Sequence, residues 1–389
     1  PFPEGMPSGR SPWDHAWTRD VDAALRDLYG DTVAADETRA LARRASARGG
    51  SIADVFARLL SMLLGGEGLV VLDPTYPAMA RRFRAILDQE VADPAAGPAA
   101  IREAGERLKG LGERPQLGRA SDATNLFLQA TGETRVLLRW DGHRFHVDGR
   151  ARRTFERRDL ATLLDDDPAS ITPAAGLRPI TQDAALPTTA VVVGPGELKY
   201  FAQLRGVYEH HGVGMPVIWP RATVTLLEPP VVRILARHEL DVTAFEADPD
   251  GVLKARLLAL HGHGVTFDDA LASLDDHVKR MLAEISAIDP TLQRTVARSH
   301  DVLGRTIDRL RGKTAAALAL RDTVTTQQFA RLRGMLLPMG GLQERTISPF
   351  AYFAKFGIDA VMRRMRSIGD HGRHDLPIDE PSGPPRPRS

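Results

Sequence analysis

Chemistry in a protein chain needs polar groups on backbone that can approach a ligand, and one stretch offers both. Residues 190–205 read AVVVGPGELKYFAQLR, a β-branched run that breaks at Gly194-Pro195-Gly196 and passes straight into an expected helix. Glycine lets backbone come close to a bound group, and free amides at a helix start favour an anion. Two readings stand here, a ligand-facing turn or a tight strand-to-helix turn with an ordinary helix start. Lys199 occupies the place where a dinucleotide-binding G-x-G-x-x-G has its third glycine, so that fingerprint does not apply.

Other candidates are weaker. Arg311 to Thr314 read RGKT, but no glycine stands five residues before Gly312, so the segment is no phosphate loop and reads as helix surface. HGHG (His261, His263) and HGRH (His371, His374) lack partners at metal-ligand spacing and read as turns, so no metal site is expected. His210 and His211 end a helix, where a cationic side chain suits the dipole. HELDV is not a zincin motif. Asp73 either caps a turn or orients an amine or hydroxyl. Gln182 and Asp183, in LRPITQDAALP, are loop caps or substrate contacts. Arg221, in PRATVTLLE, is a bidentate fork for a carboxylate or one half of a surface ion pair. No nucleophile elbow, kinase set or triad pattern is present.

The elements that position these residues follow from periodicity. The first third is helical, with DVDAALRDLYG, ADETRALARRASARG and SIADVFARLLSMLLGG carrying apolar residues at helical spacing. LVVL, before Asp73-Pro74, reads as a strand, with a helix from about Pro77. Residues 93–118 form another helix and a glycine-rich exit. NLFLQATGETRVLLRWDGHRFHV predicts a small antiparallel meander turning at Thr131-Gly132 and Asp141-Gly142, and TFERRDLATLLDDDP returns to helix. From Pro187, strand TTAVVV, a helix of about 15 residues and strand MPVIWPRATVTLLE make a βαβ crossover, hence parallel pairing. Ligands of such sheets bind beyond the carboxyl ends of the strands, where Gly194 to Glu197 fall. Leu271, Leu274, Val278, Met281, Ile285, Ile288 and Leu292, continued by Val296, Leu303, Ile307 and Leu310, make a coiled-coil seam with Ser299 as a polar interruption. Asp289-Pro290 divides it into two long helices.

Composition narrows the class. The 389 residues suggest two or three units, and 51 basic residues nearly cancel 50 acidic ones, giving no global argument for nucleic acid or membrane as partner. Cysteine is absent, which excludes disulfides, thiolate metal sites and a cysteine nucleophile and suits a reducing compartment. No apolar stretch approaches the roughly 20 residues that span a bilayer, and the start lacks the regions of a signal peptide. A soluble, cytoplasmic protein is expected.

GLVVLDPTYPAMARR, LFLQATGETRVLLR, the long segment LRPITQDAALPTTAVVVGPGELKYFAQLRGVYEHHGVGMPVIWPRATVTLLE and LPMGGLQERTISPFAYFAKFG, in that order, resemble the bacillithiol biosynthesis cysteine-adding enzyme family, BshC. The likeness covers nearly the whole chain. It implies an α/β fold, a Rossmann-like ligase core with helical insertions and a small meander, plus a C-terminal coiled coil that helps form a homodimer. The expected parts are a helical connecting segment over 1–66, the core over 67–236 with an insertion near 93–165, the coiled-coil domain over 237–372, and a disordered tail over 373–389. The family joins cysteine to glucosaminyl-malate in the last step of bacillithiol synthesis. An amide forms between the cysteine carboxyl and the sugar amine, which requires an activated acyl group. ATP or another adenine nucleotide is the implied activator, by analogy with class I aminoacyl-tRNA synthetases.

Carried onto this chain, the resemblance puts Gly194 and Gly196 on the substrate cleft and Glu197, Tyr200 and Gln203 on the helix leaving it. Gln182, Asp183 and Arg221 border the same pocket, and Asp73 is counted with the expected substrate-binding residues. Glu197 or Asp183 is the expected ammonium ligand or base, and Arg221 the expected holder of the malyl carboxylate. Lacking thiols suits an enzyme that handles cysteine. Two departures stand out: Val193 replaces a first glycine of the family's turn, and the family's N-terminal segment has no counterpart here. The alternatives are a catalytically incomplete dimeric scaffold of the same fold, and an ATP-dependent ligase for another amino acid.

Overall fold

A computed structural model describes residues 11–74, 76–129, 135–147 and 153–379. These fall into two compact units, one running through Thr223 and including Gly357–Arg373, the other covering Val224–Phe356 and the residues from His374 on.

In the first unit the three expected N-terminal helices are His15–Tyr29, Ala35–Ser46 and Ile52–Leu64. The third starts where Ser51 Oγ accepts from Asp54 N at 3.1 Å while Asp54 Oδ2 accepts from Ser51 N at 2.8 Å, a reciprocal cap of two otherwise unpaired amides. Arg84–Ala92 and Ala96–Gly110 follow.

The meander forms and is larger than expected. Strands β1 (Ala123–Leu128), β2 (Val136–Trp140), β3 (Phe145–Val147), β4 (Arg153–Phe155) and β5 (Ile171–Pro173) make one antiparallel sheet in the order β4-β3-β2-β1-β5. At the Asp141-Gly142 turn, Asp141 Oδ1 accepts from His143 N and Arg144 N, and Gly142 takes φ +99, a region open to glycine. The Thr131-Gly132 turn lies outside the described residues. Leu126, Leu138, Phe145 and Ile171 bury the sheet face against Leu177, Ile180, Leu204, Val207 and Tyr208. Removing one such side chain to alanine costs about 2–5 kcal/mol.

The βαβ crossover is present. Strand β6 (Ala190–Val193) pairs in parallel with β7 (Val217–Pro220), Ala190 opposite Val217 and Val193 opposite Pro220. Its connection is two helices, Pro195–Phe201 and Arg205–His211, rather than one of about 15 residues. The break follows from Gln203, whose side chain turns inward to bond the backbone of another segment. The expected long second strand also divides, into β7 and β8 (Thr223–Leu227), after Pro220, which has no N–H for a ladder. Strand β8 pairs with β9 (Arg373–Pro377), with Thr223 N donating to Gly372 O and Ile378 N to Leu227 O. Residues 373–377 are therefore ordered strand, correcting the expectation of a disordered tail from 373; residues 380–389 lie outside the described set.

The strand expected at LVVL does not form. Residues 69–73 carry no regular structure, and Leu69, Val70 and Leu72 are exposed. A strand needs a neighbour for its amides and carbonyls, and no described strand lies beside this run.

In the second unit, helix Pro229–His238 places Val231, Ile234 and Leu235 against Phe329, Leu332 and Leu336. That packing moves the boundary expected at 236 to Thr223. Helices Gly264–Ile288 and Gln293–Arg321 meet at a turn where Asp289 Oδ1 accepts from the Thr291 amide and hydroxyl, which holds its carboxyl below the usual range. Asp275 with His300 (2.5 Å) and Asp268 with Arg311 (3.3 Å) pair in opposite chain order, so the two helices form an antiparallel hairpin. Within it Leu271, Leu274, Val278 and Ile285 are half-buried and Val296 is buried, whereas Met281, Ile288, Leu292, Leu303 and Leu310 remain exposed. The seam read from sequence therefore faces partly inward and partly to solvent. Helix Ile358–Arg366 returns to the first unit, where Arg366 Nε meets Glu67 Oε1 at 2.7 Å.

Candidate active site

A cavity of about 290 Å³ opens in the first unit, close to the lower end of the ~300–1,000 Å³ usual for small-molecule sites. Leu72, Met79, Phe83, Ile171 and Leu186 give it an apolar wall, while Arg135, Arg178, Gln129 and Gln182 supply the polar groups. Such a balance suits an organic molecule oriented by a few convergent polar contacts.

Helix Arg178–Ala185 positions one side. Pro179 sits in its first turn, where a missing N–H costs nothing, and Arg178 and Gln182 lie one turn apart on the same face. Arg178 reaches out of the cavity to the Gly-Pro-Gly helix, its Nη2 lying 3.2 Å from Glu197 Oε1 and 2.9 Å from Tyr200 Oη. Tyr200 Oη donates to Glu197 Oε1 at 3.3 Å. The second oxygen of Glu197 accepts from Gly194 N at 3.1 Å.

That last bond answers the question raised by the turn. The amide that could have met an anion is satisfied by the chain's own carboxylate three residues on. Gly194 has φ −77, which needs no glycine, and a Cβ added at Gly196 meets nothing within 4 Å.

Asp183 follows Gln182 and is held at both oxygens, Oδ2 accepting from Tyr208 Oη at 2.5 Å and Oδ1 from Gln182 Nε2 at 3.3 Å. Burial, and then the bond to Asp183, push the Tyr208 phenol well above its ordinary value. Tyr208 therefore stays protonated and donating.

The structure thus brings Gln182, Asp183, Glu197 and Tyr200 into one network with Gly194, through Arg178 and Tyr208. Gln182 alone among the expected residues lines the cavity, and Asp73 lies between its lining residues Leu72 and Pro74, its carbonyl accepting from Tyr76 N. Arg221 donates its backbone N–H to Val193 O at the same sheet end, but its Nη1 bonds Ala222 O. Gln203 requires a correction. It is fully buried, its oxygen accepting from Gln116 N and Leu117 N and its amide donating to Ile101 O and Leu117 O. With every bond satisfied inside the core it is a structural staple, not a substrate ligand.

Sequence reasoning missed Arg178, Arg135 and Tyr208. Arg178 had a signal, because a helix over 178–185 puts it one turn from Gln182. Arg135 had none, since only the pairing of β1 with both β2 and β5 brings Thr172 and Pro173 to it.

A second buried polar pair lies in the same unit. Glu90 Oε2 and His211 Nε2 are 3.0 Å apart with both side chains fully buried, and His211 Nδ1 is 3.0 Å from Gln89 Oε1. No three His, Asp or Glu side chains among the described residues gather as a metal cluster, and no described helix is long and apolar enough to cross a membrane.

A parallel βαβ unit whose strand ends carry a polar network beside a small cavity, in a chain that also folds an antiparallel helical hairpin, defines an α/β protein with a candidate small-molecule site and a helical coiled-coil unit. The sequence matches the family model for the Bacillithiol biosynthesis BshC N-terminal Rossmann-like domain over residues 5–222, and that for the BshC C-terminal coiled-coil domain over 224–371. The chain belongs to the BshC family. It is 39% identical over 313 residues to a Thermus thermophilus protein named "Putative cysteine ligase BshC", covering 80% of this chain and 63% of that protein. Proteins of the same name from Symbiobacterium thermophilum and Salinibacter ruber are 35% and 33% identical over 82% and 81% of this chain, and 57% of each relative. The chain thus spans about three fifths of the length of the curated relatives it matches.

Proposed function

We propose that the protein is a cysteine ligase that joins the carboxyl of L-cysteine to the amine of glucosaminyl-malate, the last step of bacillithiol synthesis. The observation that carries this is the family match over the whole site-bearing unit, joined to a polar network set at the strand ends. Attack by the amine on the acyl carbon requires a neutral amine, so a carboxylate nearby must hold the ammonium and take its proton. Both expected carboxylates have both oxygens engaged, Asp183 by Tyr208 and Gln182 and Glu197 by Arg178, Tyr200 and the Gly194 amide, and we give the role to Glu197 because its side chain is nearly half exposed and open to a substrate. Arg178 holds Glu197 against Tyr200.

An unactivated carboxylate does not condense with an amine in water, and ATP is the co-substrate we propose for activation. No described residue is assigned to its phosphates, because the Gly194 amide already binds Glu197. A homodimer built on the exposed face of the helical hairpin, and action in the cytoplasm, complete the reading.

The test compares the full-length gene product with this chain. Each is incubated with glucosaminyl-malate, cysteine and ATP, with and without Gly196→Val, and the thiol product is read by mass spectrometry. Product that is lost with Gly196→Val while the fold is kept supports the reading, since a Cβ there meets no protein atom within 4 Å. Absence of product from both folded proteins overturns it.

A further inference from the structure

Arg135 is a cavity cation for which no described residue supplies a counter-charge. Its Nε donates to Thr172 Oγ1 at 2.8 Å and its Nη2 to Pro173 O at 2.7 Å, and its guanidinium lies 4.0 Å from the centre of the Phe127 ring. These contacts fix the fork in place but bring no negative charge, and no described carboxylate lies within ion-pair reach. Burial alone acts on its charge and lowers its proton affinity, with no described acid nearby to oppose that. The other cavity cation, Arg178, is already paired with Glu197.

A half-buried guanidinium that lines a cavity with an apolar wall, with Nη1 unbonded among the described residues, is costly while no counter-charge faces it. It becomes favourable when an anion brings the missing charge. The anion's chemistry follows from its surroundings. Beside Arg135 the lining is Leu72, Met79, Phe83, Ile171 and Leu186 with the neutral groups of Gln129, Thr181 and Gln182, and Arg178 is already paired, so a single free guanidinium edge is left to match the single charge of one carboxylate. The volume admits a small organic acid whose carbon chain rests on that wall.

We infer that Arg135 is a carboxylate-binding residue of the cavity, taking one carboxylate of a small organic acid at its free guanidinium edge, in the role that sequence had given to Arg221. The assignment rests on the ligase reading only for its probe, L-malate. The 389-residue chain is titrated with L-malate, dimethyl L-malate and inorganic phosphate, following thermal unfolding and ligand-observed NMR. Expected is a rise in melting temperature with malate and none with the diester or phosphate, and malate affinity at least tenfold weaker in Arg135→Gln with Arg135→Lys between. Equal binding of the diester, preference for phosphate, no malate binding at millimolar concentration, or affinity unchanged in Arg135→Gln would each overturn it. If Arg135→Gln does not fold, Arg135→Lys and the diester comparison on the unaltered chain decide. Malate bound through Arg135 without thiol product from full-length protein sinks the ligase reading alone. Thiol product with unchanged KM in full-length Arg135→Gln sinks the carboxylate site alone.

Discussion

Tyr208 donates its hydroxyl to Asp183 Oδ2 at 2.5 Å across 25 positions of sequence, tying helix Arg205–His211 to the helix that lines the cavity. Tyr208 is buried, and hydrogen bonds to charged groups contribute about 1.5–3 kcal/mol. Tyr208→Phe should lower unfolding free energy by about 2 kcal/mol in urea titration. An unchanged midpoint would mean that Asp183 finds another donor.

The same phenol sets a pH dependence. Its folded value is raised above the ordinary tyrosine value near 10, so below that pH folded and unfolded chains hold the proton alike. Above about pH 10 the unfolded chain releases the proton first, and stability falls by up to ~1.4 kcal/mol per pH unit from this group. Stability measured between pH 8 and 11 should decline less steeply in Tyr208→Phe than in the unaltered chain.

Arg178 and Glu197 separate stability from activity. Both side chains are nearly half exposed, at 46% and 44%, and exposed ion pairs contribute roughly 0–1 kcal/mol. Arg178→Ala and Glu197→Gln should shift the urea midpoint little while thiol formation by the full-length protein drops at least tenfold. Loss of fold together with activity would reduce the pair to architecture.

Glu90 and His211 should behave in the opposite way. With both side chains wholly buried, Glu90→Ala takes the partner from His211 Nε2 and leaves the imidazole held through Nδ1 by Gln89 alone, which should cost about 1–3 kcal/mol, read by thermal or chemical unfolding. Gly97→Ala should also destabilise, because its new Cβ would stand 2.6 Å from Asn125 Nδ2.

The hairpin's outer face gives a test of assembly. Leu303 and Leu310 lie two turns apart and are 49% and 54% exposed. If the proposed hairpin dimer forms, Leu303→Glu combined with Leu310→Glu should convert it to a folded monomer by light scattering. A monomeric mass for the unaltered chain, or a mass unaffected by the double change, would sink the hairpin dimer.

Local patterns carried the reading as far as local forces act. Helices with caps, the β6–β7 crossover and the Asp289-Pro290 turn were legible because each is decided within about 30 residues. Leu69–Leu72 misled because composition reports a strand's preference and not whether a neighbour exists. Gln203 misled because its four partners lie 86 to 102 positions away and leave no local mark. Arg178 was half legible through its spacing to Gln182, and Arg135 not at all, since only the sheet register gives it its surroundings.

The uncovered run at Leu69–Leu72 has a practical consequence in the test tube. Val70 is 76% exposed, and a β-prone apolar segment without a partner is a template for the same segment of another molecule. Solubility of this chain should therefore be limited by self-association at that edge, and a single lysine at Val70 should raise the concentration at which it precipitates.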